Sequence, residues 1–500
     1  MLKKQPIYQI LSLFMIILLV FGSIFLRIHI WQDAGGFYTD EGSLILNIQE
    51  RGYLQLFLPL DYAQCCPALF LVLAKIIYSV NGVINEANLR CIPLMFSIFS
   101  CLLFAIISFR VCNNLFSRIF AIVFLGLNRS LLQYSQEFKQ YSSDVFFCLL
   151  VILIAIYLKD KSLDKKKLFI LGLLASALVW ASYTSIFAVC AGGLAYILIK
   201  DQKNLKTKLK NGLYFALPYF LNFVVMLKIN GIGTLTNKTI QFFWSNYECF
   251  FPTSPMHLFA FLKFIIWDSD KITIVCSILA LFGIFYLVKY QKYLSILLLG
   301  ILGFAILSGL LKLYPLAPNR VSLFLIPVFI LIIAKAFDFI SFKTINKSLI
   351  SVPIIVSWLW IFYSMDIFNQ IKYYYSTKMI FKQTTAKEYV DILSKVKVNP
   401  DDIVYVDMGS QNVFELYLKE KNMKLNNYFF ETRWDDINIT FNHLPLNKCI
   451  HIYHSPYNPN PFAYEAIQKQ INANCKIIEE QKTDSGTYIK CLKISKHNVK

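Results

Sequence analysis

Tyr38-Thr39-Asp40-Glu41-Gly42-Ser43-Leu44 (residues 38–44) sets two adjacent carboxylates just beyond the first long apolar run, Ile10 to Ile30, and its flanking Trp31. An acidic pair in a loop is ordinarily just solvated. At a membrane boundary it is costly unless it binds a cation, pairs with a base or performs catalysis. Gly35, Gly36 and Gly42 flank the pair and allow the close backbone approach that a bound ligand needs. Asp40 and Glu41 are therefore the first candidate catalytic residues.

Outward from that stretch, the composition is that of a polytopic membrane protein. Of 500 residues, 57% are hydrophobic and 16% aromatic, and many apolar runs approach the ~18–20 residues a spanning helix needs. Candidate spans lie near 10–30, 92–109, 119–133, 144–158, 168–181, 183–199, 212–228, 272–288, 293–311, 321–340 and 348–365. The first is longer than a signal-peptide core and lacks a small-residue cleavage site, so it reads as a retained anchor. The formal net charge is +19. In a soluble chain that would point to nucleic acid. Here the lysines sit in short loops between apolar runs, the pattern of a cytoplasmic membrane face, and a nucleic-acid partner is set aside.

Loop charge also fixes the expected topology. Lys159, Lys161, Lys165, Lys166 and Lys167 crowd one loop, and Lys200, Lys203, Lys206, Lys208 and Lys210 another. Arg110 and Arg118, Lys289 and Lys292, and Lys343 and Lys347 flank three more. All five loops fall on the side of Lys3 and Lys4 only if the short apolar stretch 67–83, which carries Lys75, does not cross. It is read as an amphiphilic helix at the outer leaflet. The expectation is an α-helical polytopic membrane protein of about eleven transmembrane helices, with a cytoplasmic N-terminus. Residues 1–366 form the membrane domain and 367–500 a soluble extracytoplasmic α/β domain. In that tail the pattern gives a helix near 384–397, strand 403–406, a helix ending near 417–421, strand 449–453, helix 462–473 and a final pair of strands, KIIEE and TYIKCLKI. The 12 cysteines include no CxxC; Cys449, Cys475 and Cys491 fall in the tail, where a disulfide is not readable from sequence.

On this topology the outer face collects the chemically mixed segments. Loop 134–143 (YSQEFKQYSS) offers Glu137, Lys139 and Tyr141, with Tyr134, Glu137 and Tyr141 at a spacing that shares one helical face. The turn KLYPLAPNR (312–320) offers Tyr314 and Arg320, and a guanidinium suits phosphate because it binds the oxygens through paired donors. Arg90, at the start of the second span, is a further cation; the alternative for both arginines is snorkelling to lipid headgroups. His451 and His454 stand three apart in a strand, on opposite faces, which argues against a shared metal. DMGSQN (407–412) has neither the lysine nor the glycine spacing of a phosphate loop.

Taken together these pieces resemble the GT-C superfamily of integral-membrane glycosyltransferases. Most similar are glycosyltransferase family 39 and its relatives, which include protein O-mannosyltransferases and the aminoarabinose transferase of lipid A. The resemblance covers roughly residues 8–365. It rests on Asp40 and Glu41 after span one, the proline-led segment Pro67 to Gly82, NEANLRCIP with Arg90, YSQEFKQY (134–141), and Tyr314, Pro315 and Arg320. The sequence departs from the family at Lys139 and Gln140, where an arginine and a proline are usual, and at Cys66-Pro67, where two prolines are usual.

The resemblance implies a polyprenyl-phosphate sugar donor, in keeping with a sequence that has no dinucleotide-type glycine fingerprint. It implies inverting, single-displacement transfer to a glycan, lipid or protein acceptor outside the cytoplasm. Asp40 would be the general base. Arg320 would stabilise the leaving phosphate, aided by Lys139 or Arg90, with Tyr314 and Tyr141 lining the donor side. Glu137 would position substrate, or hold a divalent metal ion with Glu41; no cofactor is otherwise implied. The Lys-, Asn- and Ile-rich usage points to an AT-rich bacterium and hence to a bacterial inner membrane. Two other classes remain: a lipid or glycan transporter or flippase, which would need charges at mid-span, and a glycan polymerase or ligase of another fold.

Overall fold

In the computed structural model the apolar runs form a helical bundle that carries a small sheet at its C-terminal end. The structure describes residues 5–32, 35–62, 64–82, 85–200, 205–229, 254–267, 269–342, 385–396, 398–399, 401–406, 411–425, 427–430, 448–454, 461–482 and 487–494. The membrane part comprises α1 (Gln5–Gln32), α2 (Thr39–Glu50), α3 (Ala68–Asn81), α4 (Glu86–Val111), α5 (Leu115–Leu127), α6 (Arg129–Gln133), α7 (Tyr141–Leu158), α8 (Lys165–Ala177), α9 (Ser185–Ala195), α10 (Leu205–Ile229), α11 (Pro255–Ile266), α12 (Asp270–Tyr290), α13 (Lys292–Leu310) and α14 (Ile326–Phe342). It is a multi-pass membrane protein.

Among the described residues, 7 helices are long and apolar enough to cross a membrane. The expected count of eleven is thus not established. Span 348–365 lies outside the described residues. The span expected at 119–133 is instead α5, which stops at Asn128, followed by the short α6, because the Asn128 side chain accepts the Leu131 N–H and starts a new helix. The span expected at 168–181 ends as an α-helix at Ala177 and tightens to a 3-10 turn, Leu178–Trp180. α11 lies between the spans expected at 212–228 and 272–288, where no helix was expected.

α1 packs on α4 and α5, α4 on α7, α8 on α10, α9 on α13, and α12 on α14. Gly283 makes the last contact possible: a Cβ there would sit 1.9 Å from the Ile332 carbonyl oxygen. Two charged features are satisfied inside the bundle. Arg27 is fully buried and donates to Ser97 Oγ (2.7 Å) and to the carbonyls of Ser23 (3.0 Å), Gly126 (3.0 Å) and Leu125 (3.4 Å). Two of these carbonyls lie in the last turn of α5, the negative end of its dipole. Lys335 and Asp338 form a buried pair at 2.6 Å, and Asp338 also accepts from Asn113, Asn114 and Ser117, which ties the α4–α5 turn to α14. These charges serve packing, and they are not the open mid-span charges a transporter needs.

The C-terminal part comprises α15 (Thr385–Lys395), β1 (Ile403–Val406), α16 (Gln411–Glu420), β2 (Tyr428–Phe430), β3 (Cys449–His454), α17 (Pro461–Asn474), β4 (Cys475–Lys482) and β5 (Thr487–Lys493). Apart from β2, these elements follow the order read from the sequence. The sheet order is β2-β1-β3-β5-β4, with β1 parallel to β2 and β3, and β5 antiparallel to β3 and β4. Residues 407–410 of the DMGSQN stretch lie outside the described residues. One apolar core joins this part to the first loop: Phe37, Leu44, Ile48 and Phe70 share it with Tyr389, Val413, Phe414 and Tyr417. α16 therefore lies directly on α2, the helix that carries Asp40. α3 packs its Phe70, Leu71 and Ala74 face inward and leaves Leu69, Leu73, Ile76 and Val80 exposed, the two-sided pattern of an interfacial helix.

Candidate active site

The site begins at the N-terminus of α2. The Glu41 side chain turns back to accept the Tyr38 N–H at 3.0 Å, which caps the helix and sets Asp40 in its first turn. Glu41 is also the centre of a buried clamp. Arg90 Nη2 meets Glu41 Oε2 at 2.6 Å and Arg90 Nε meets Oε1 at 2.9 Å. The Phe138 N–H donates to the same Oε1 at 2.6 Å. Arg90 also donates to the Gly35 carbonyl, reaches the Gly36 carbonyl at 2.9 Å, and lies 5.1 Å over the Phe37 ring. The side chains of Glu41 and Arg90 are only 0% and 7% exposed. The pair thus joins the glycine segment, α2, α4 and the 134–140 loop. Every polar arm of Arg90 is committed within the protein, so the geometry gives it the role of a brace and does not present it to a phosphate. Both Glu41 oxygens are likewise occupied, whereas the Asp40 side chain is 29% exposed, which leaves Asp40 as the accessible acid of the pair.

Around Asp40 four segments converge. Arg320, in the 3-10 turn Arg320–Leu325 that leads into α14, pairs with Asp40 through Nη2 and with Glu137 Oε1 through Nη1 at 3.3 Å. Its guanidinium stacks 5.4 Å over the Tyr141 ring. The Tyr38 hydroxyl donates to Glu137 Oε1 and accepts from Arg320 Nη1 at 3.0 Å. Lys139 is buried and donates to Gln64 Oε1 at 2.5 Å. Asp40, Glu137, Lys139, Tyr141 and Arg320 are therefore brought together. Tyr314 is not: its hydroxyl donates to the Val321 carbonyl at 3.0 Å and its ring meets Phe187 and Phe324 edge-on, bracing the turn that holds Arg320.

The 134–140 loop departs from the helical face read from its spacing. α6 ends at Gln133 and α7 starts at Tyr141. Between them the backbone is a tight turn, with the Lys139 N–H 2.6 Å from the Glu137 carbonyl. Tertiary hydrogen bonding, chiefly Phe138 to Glu41, outweighs the local helical option. Tyr134 and Tyr141 still meet, with ring centroids 5.6 Å apart.

The electrostatics separate Asp40 from Glu137. Burial pushes Asp40 up, but Lys139 and Arg320, with hydrogen bonds from Arg320 and Gln64, outweigh it and hold the carboxyl below its ordinary value. Burial pushes Glu137 up to about 7; Arg320 and the Tyr38 hydroxyl pull it down and the Glu41 charge pushes it further up. Burial lowers Lys139, against the pull of Asp40. Paired carboxylates with divergent values, beside two cations, are a pattern of acid–base sites.

No protein-family model and no curated protein sequence matches this chain. Solved structures do. ArnT from Cupriavidus metallidurans, bound to undecaprenyl phosphate, superposes with a TM-score of 0.54 at 10% identity, over 95% of this chain and 97% of that one. The oligosaccharyltransferase of Archaeoglobus fulgidus, in complex with Zn and sulfate, gives a TM-score of 0.51 at 11% identity, over 95% of this chain and 72% of that one. The chain has a GT-C fold. The likeness is one of overall fold and spans 95% of the chain.

Within the GT-C fold the metal expectation was tested on the donor atoms. Asp40, Glu41 and Glu137 do not form a ligand set among the described residues, and Glu41 is taken by Arg90. One set does come together, Asp402, Cys449 and His451, whose ligand atoms lie within 4.8 Å of one another. It belongs to the C-terminal sheet, and His451 there already bonds Asp402 Oδ2 (3.1 Å) and the Tyr488 hydroxyl (2.7 Å). No step below depends on a metal. Two residues of this cluster escaped the sequence reading, Tyr38 and Gln64. Tyr38 is two residues before Asp40 and could have been found by proximity; Gln64 carries no local signal.

Proposed function

We propose that this chain transfers a sugar from a polyprenyl-phosphate donor to an extracytoplasmic acceptor hydroxyl, with inversion. The observation that carries the reading is the convergence of Asp40 and Glu137 on Arg320, beside the buried Lys139. The GT-C fold supports sugar transfer by analogy only, so the reading rests on the site: two cations beside two carboxylates fit a reaction in which phosphate leaves while a hydroxyl loses its proton.

The proposed step is a single displacement. The acceptor oxygen attacks the anomeric carbon as the bond from that carbon to the phosphate oxygen breaks. Asp40 takes the hydroxyl proton, and the electron pair leaves on the polyprenyl phosphate. Arg320 and Lys139 stabilise the growing charge on the phosphate oxygens. Arg320 bound to phosphate is drawn away from Asp40, so donor binding itself returns basicity to the carboxylate. Tyr141 supports the guanidinium face, and Tyr38 and Glu137 hold its other arm. Glu41 and Arg90 position the loop. A competing assignment makes Glu137 the base, because its value of about 7 matches a general base at neutral pH.

The lysine-rich loops argue for a cytoplasmic N-terminus and a site on the opposite face of a bacterial inner membrane. The test is lipid mass spectrometry of three strains: wild type, deletion, and deletion complemented with Asp40→Asn. A polyprenyl-phosphate monosaccharide that accumulates in the last two supports the proposal. If no such lipid changes in either strain, the proposed donor is wrong.

A further inference from the structure

Gln64 sits beside Lys139 and Asp40, in a place that neither its sequence context nor the transfer chemistry assigns. Its Oε1 accepts from Lys139 Nζ at 2.5 Å. Its Nε2 donates to the Tyr62 carbonyl at 3.2 Å, and its side chain helps hold the Asp40 carboxyl below its ordinary value. A neutral carboxamide beside Asp40 therefore takes the hydrogen bond of a buried ammonium that would otherwise pair with the carboxylate. Among the described residues Lys139 has no carboxylate within ion-pair distance. An acceptor is thus supplied to the buried cation without cancelling its charge.

The backbone around Gln64 is pinned from both sides. Asn47 and Asp61 exchange two hydrogen bonds, at 2.9 and 3.2 Å, and Arg51 grips the Asp61 carboxylate at 2.7 Å. On the other side Gln140 reaches the Cys65 carbonyl at 3.3 Å and the Tyr183 hydroxyl reaches the Cys66 carbonyl at 3.0 Å. Tyr62, two residues before the glutamine, has a φ of 60°, a left-handed conformation that a tyrosine rarely adopts. Strain of this kind persists where the surrounding structure over-determines it, and it marks sites where a side chain must be aimed.

We propose that Gln64 is a positioning residue that holds Lys139 and Asp40 apart, so that the ammonium keeps its charge for an anionic oxygen of the phosphate and the carboxylate keeps a lone pair for the acceptor proton. The inference rests on the transfer reading for its purpose, but not for its test. Lys139 is titrated in the purified full-length protein by competitive acetylation over a pH series, with the peptide read by mass spectrometry. Gln64→Leu, which opens the gap, is expected to raise the Lys139 midpoint, because the ammonium closes on Asp40. Gln64→Glu, which nearly preserves shape, is expected to raise it as well and serves if the leucine variant does not fold. Asp40→Asn added to Gln64→Leu should return the midpoint toward wild type. A midpoint that stays or falls in Gln64→Leu, while Gln64→Glu raises it, overturns the spacer, since Gln64 would then merely solvate the ammonium. No shift in either variant also overturns it.

The same proteins are then tested for binding of undecaprenyl phosphate in nanodiscs, with inorganic phosphate as competitor. A tenfold or greater loss of affinity in both variants, with the midpoint shift, supports spacer and phosphate site together. A midpoint shift with no binding even by wild type leaves the spacer standing and refutes the donor reading. Competition by inorganic phosphate would place recognition on the phosphate; its failure would place it on the lipid chain and count against Lys139 as the contact.

Discussion

Arg90→Met is expected to be among the most destabilising single substitutions outside the bundle core. It removes the cation from a carboxylate whose side chain is 0% exposed, and with it the 2.6 and 2.9 Å contacts to Glu41 and the bonds to Gly35 and Gly36. Removing one partner of a buried pair costs about 3–5 kcal/mol, because the other charge is left uncompensated. Glu41→Gln should cost a comparable amount, since Arg90 then lacks its counter-charge and the Phe138 and Tyr38 N–H groups face a weaker acceptor. The double variant has no buried net charge, so its cost should fall short of the sum by about 1–3 kcal/mol. Equilibrium unfolding in mixed micelles, run on all four proteins, measures this coupling. Sugar transfer should fall in both single variants, because the clamp sets the helix start that holds Asp40 and the loop that holds Glu137. Single variants that each cost under about 1 kcal/mol, or that simply add, would refute the clamp.

Three further outcomes follow from the geometry. In Gly42→Ala the new Cβ would lie 2.8 Å from Val413 Cγ2 and 3.1 Å from its Cα, so α16 must move off α2; overpacking of about 1–3 kcal/mol is expected, with partial rescue by Val413→Ala, measured as thermal stability and transfer rate. Asp40→Asn should lower the transfer rate on the order of 10²–10⁴-fold in a reconstituted assay, and wild-type transfer would remove Asp40 from the mechanism. The pH dependence of kcat/KM separates the two bases: a base must be deprotonated, so rate is lost as pH falls through its value. With Asp40 as base the acid limb lies below the ordinary aspartate range, because Lys139 and Arg320 outweigh its burial, whereas with Glu137 as base the limb lies near pH 7.

Much of the molecule was legible without coordinates. The apolar runs name most of the helices, since burial in lipid leaves a continuous local signal. The C-terminal order of helix and strand was also readable, because strand 403–406 and helix 461–474 carry clear periodicities and turn signals. The boundaries at Asn128 and Ala177 were not, because a cap and a 3-10 turn each depend on a few atoms. The 134–140 loop misled for another reason: a helical spacing of its tyrosines was overridden by a hydrogen bond from Phe138 to a residue 97 positions earlier.

The sequence by itself determined a membrane-spanning helical chain, an acidic pair at the end of its first span, and the residue types a phosphate-leaving reaction would use. Only the tertiary structure showed which acid and which arginine are buried against each other and which remain partly exposed. Asp40 and Arg320 are 280 residues apart, and Glu41 and Arg90 are 49 apart. By residue type alone Asp40 and Glu41 are alike, as are the two arginines; before the structure, only the family resemblance set them apart. What distinguishes them is burial and the choice of partner: Glu41 and Arg90 neutralise each other in a closed space, while Asp40 and Arg320 meet at an open one. Charge pairing acts through space and depends on the local dielectric, so no period or spacing in the chain encodes it.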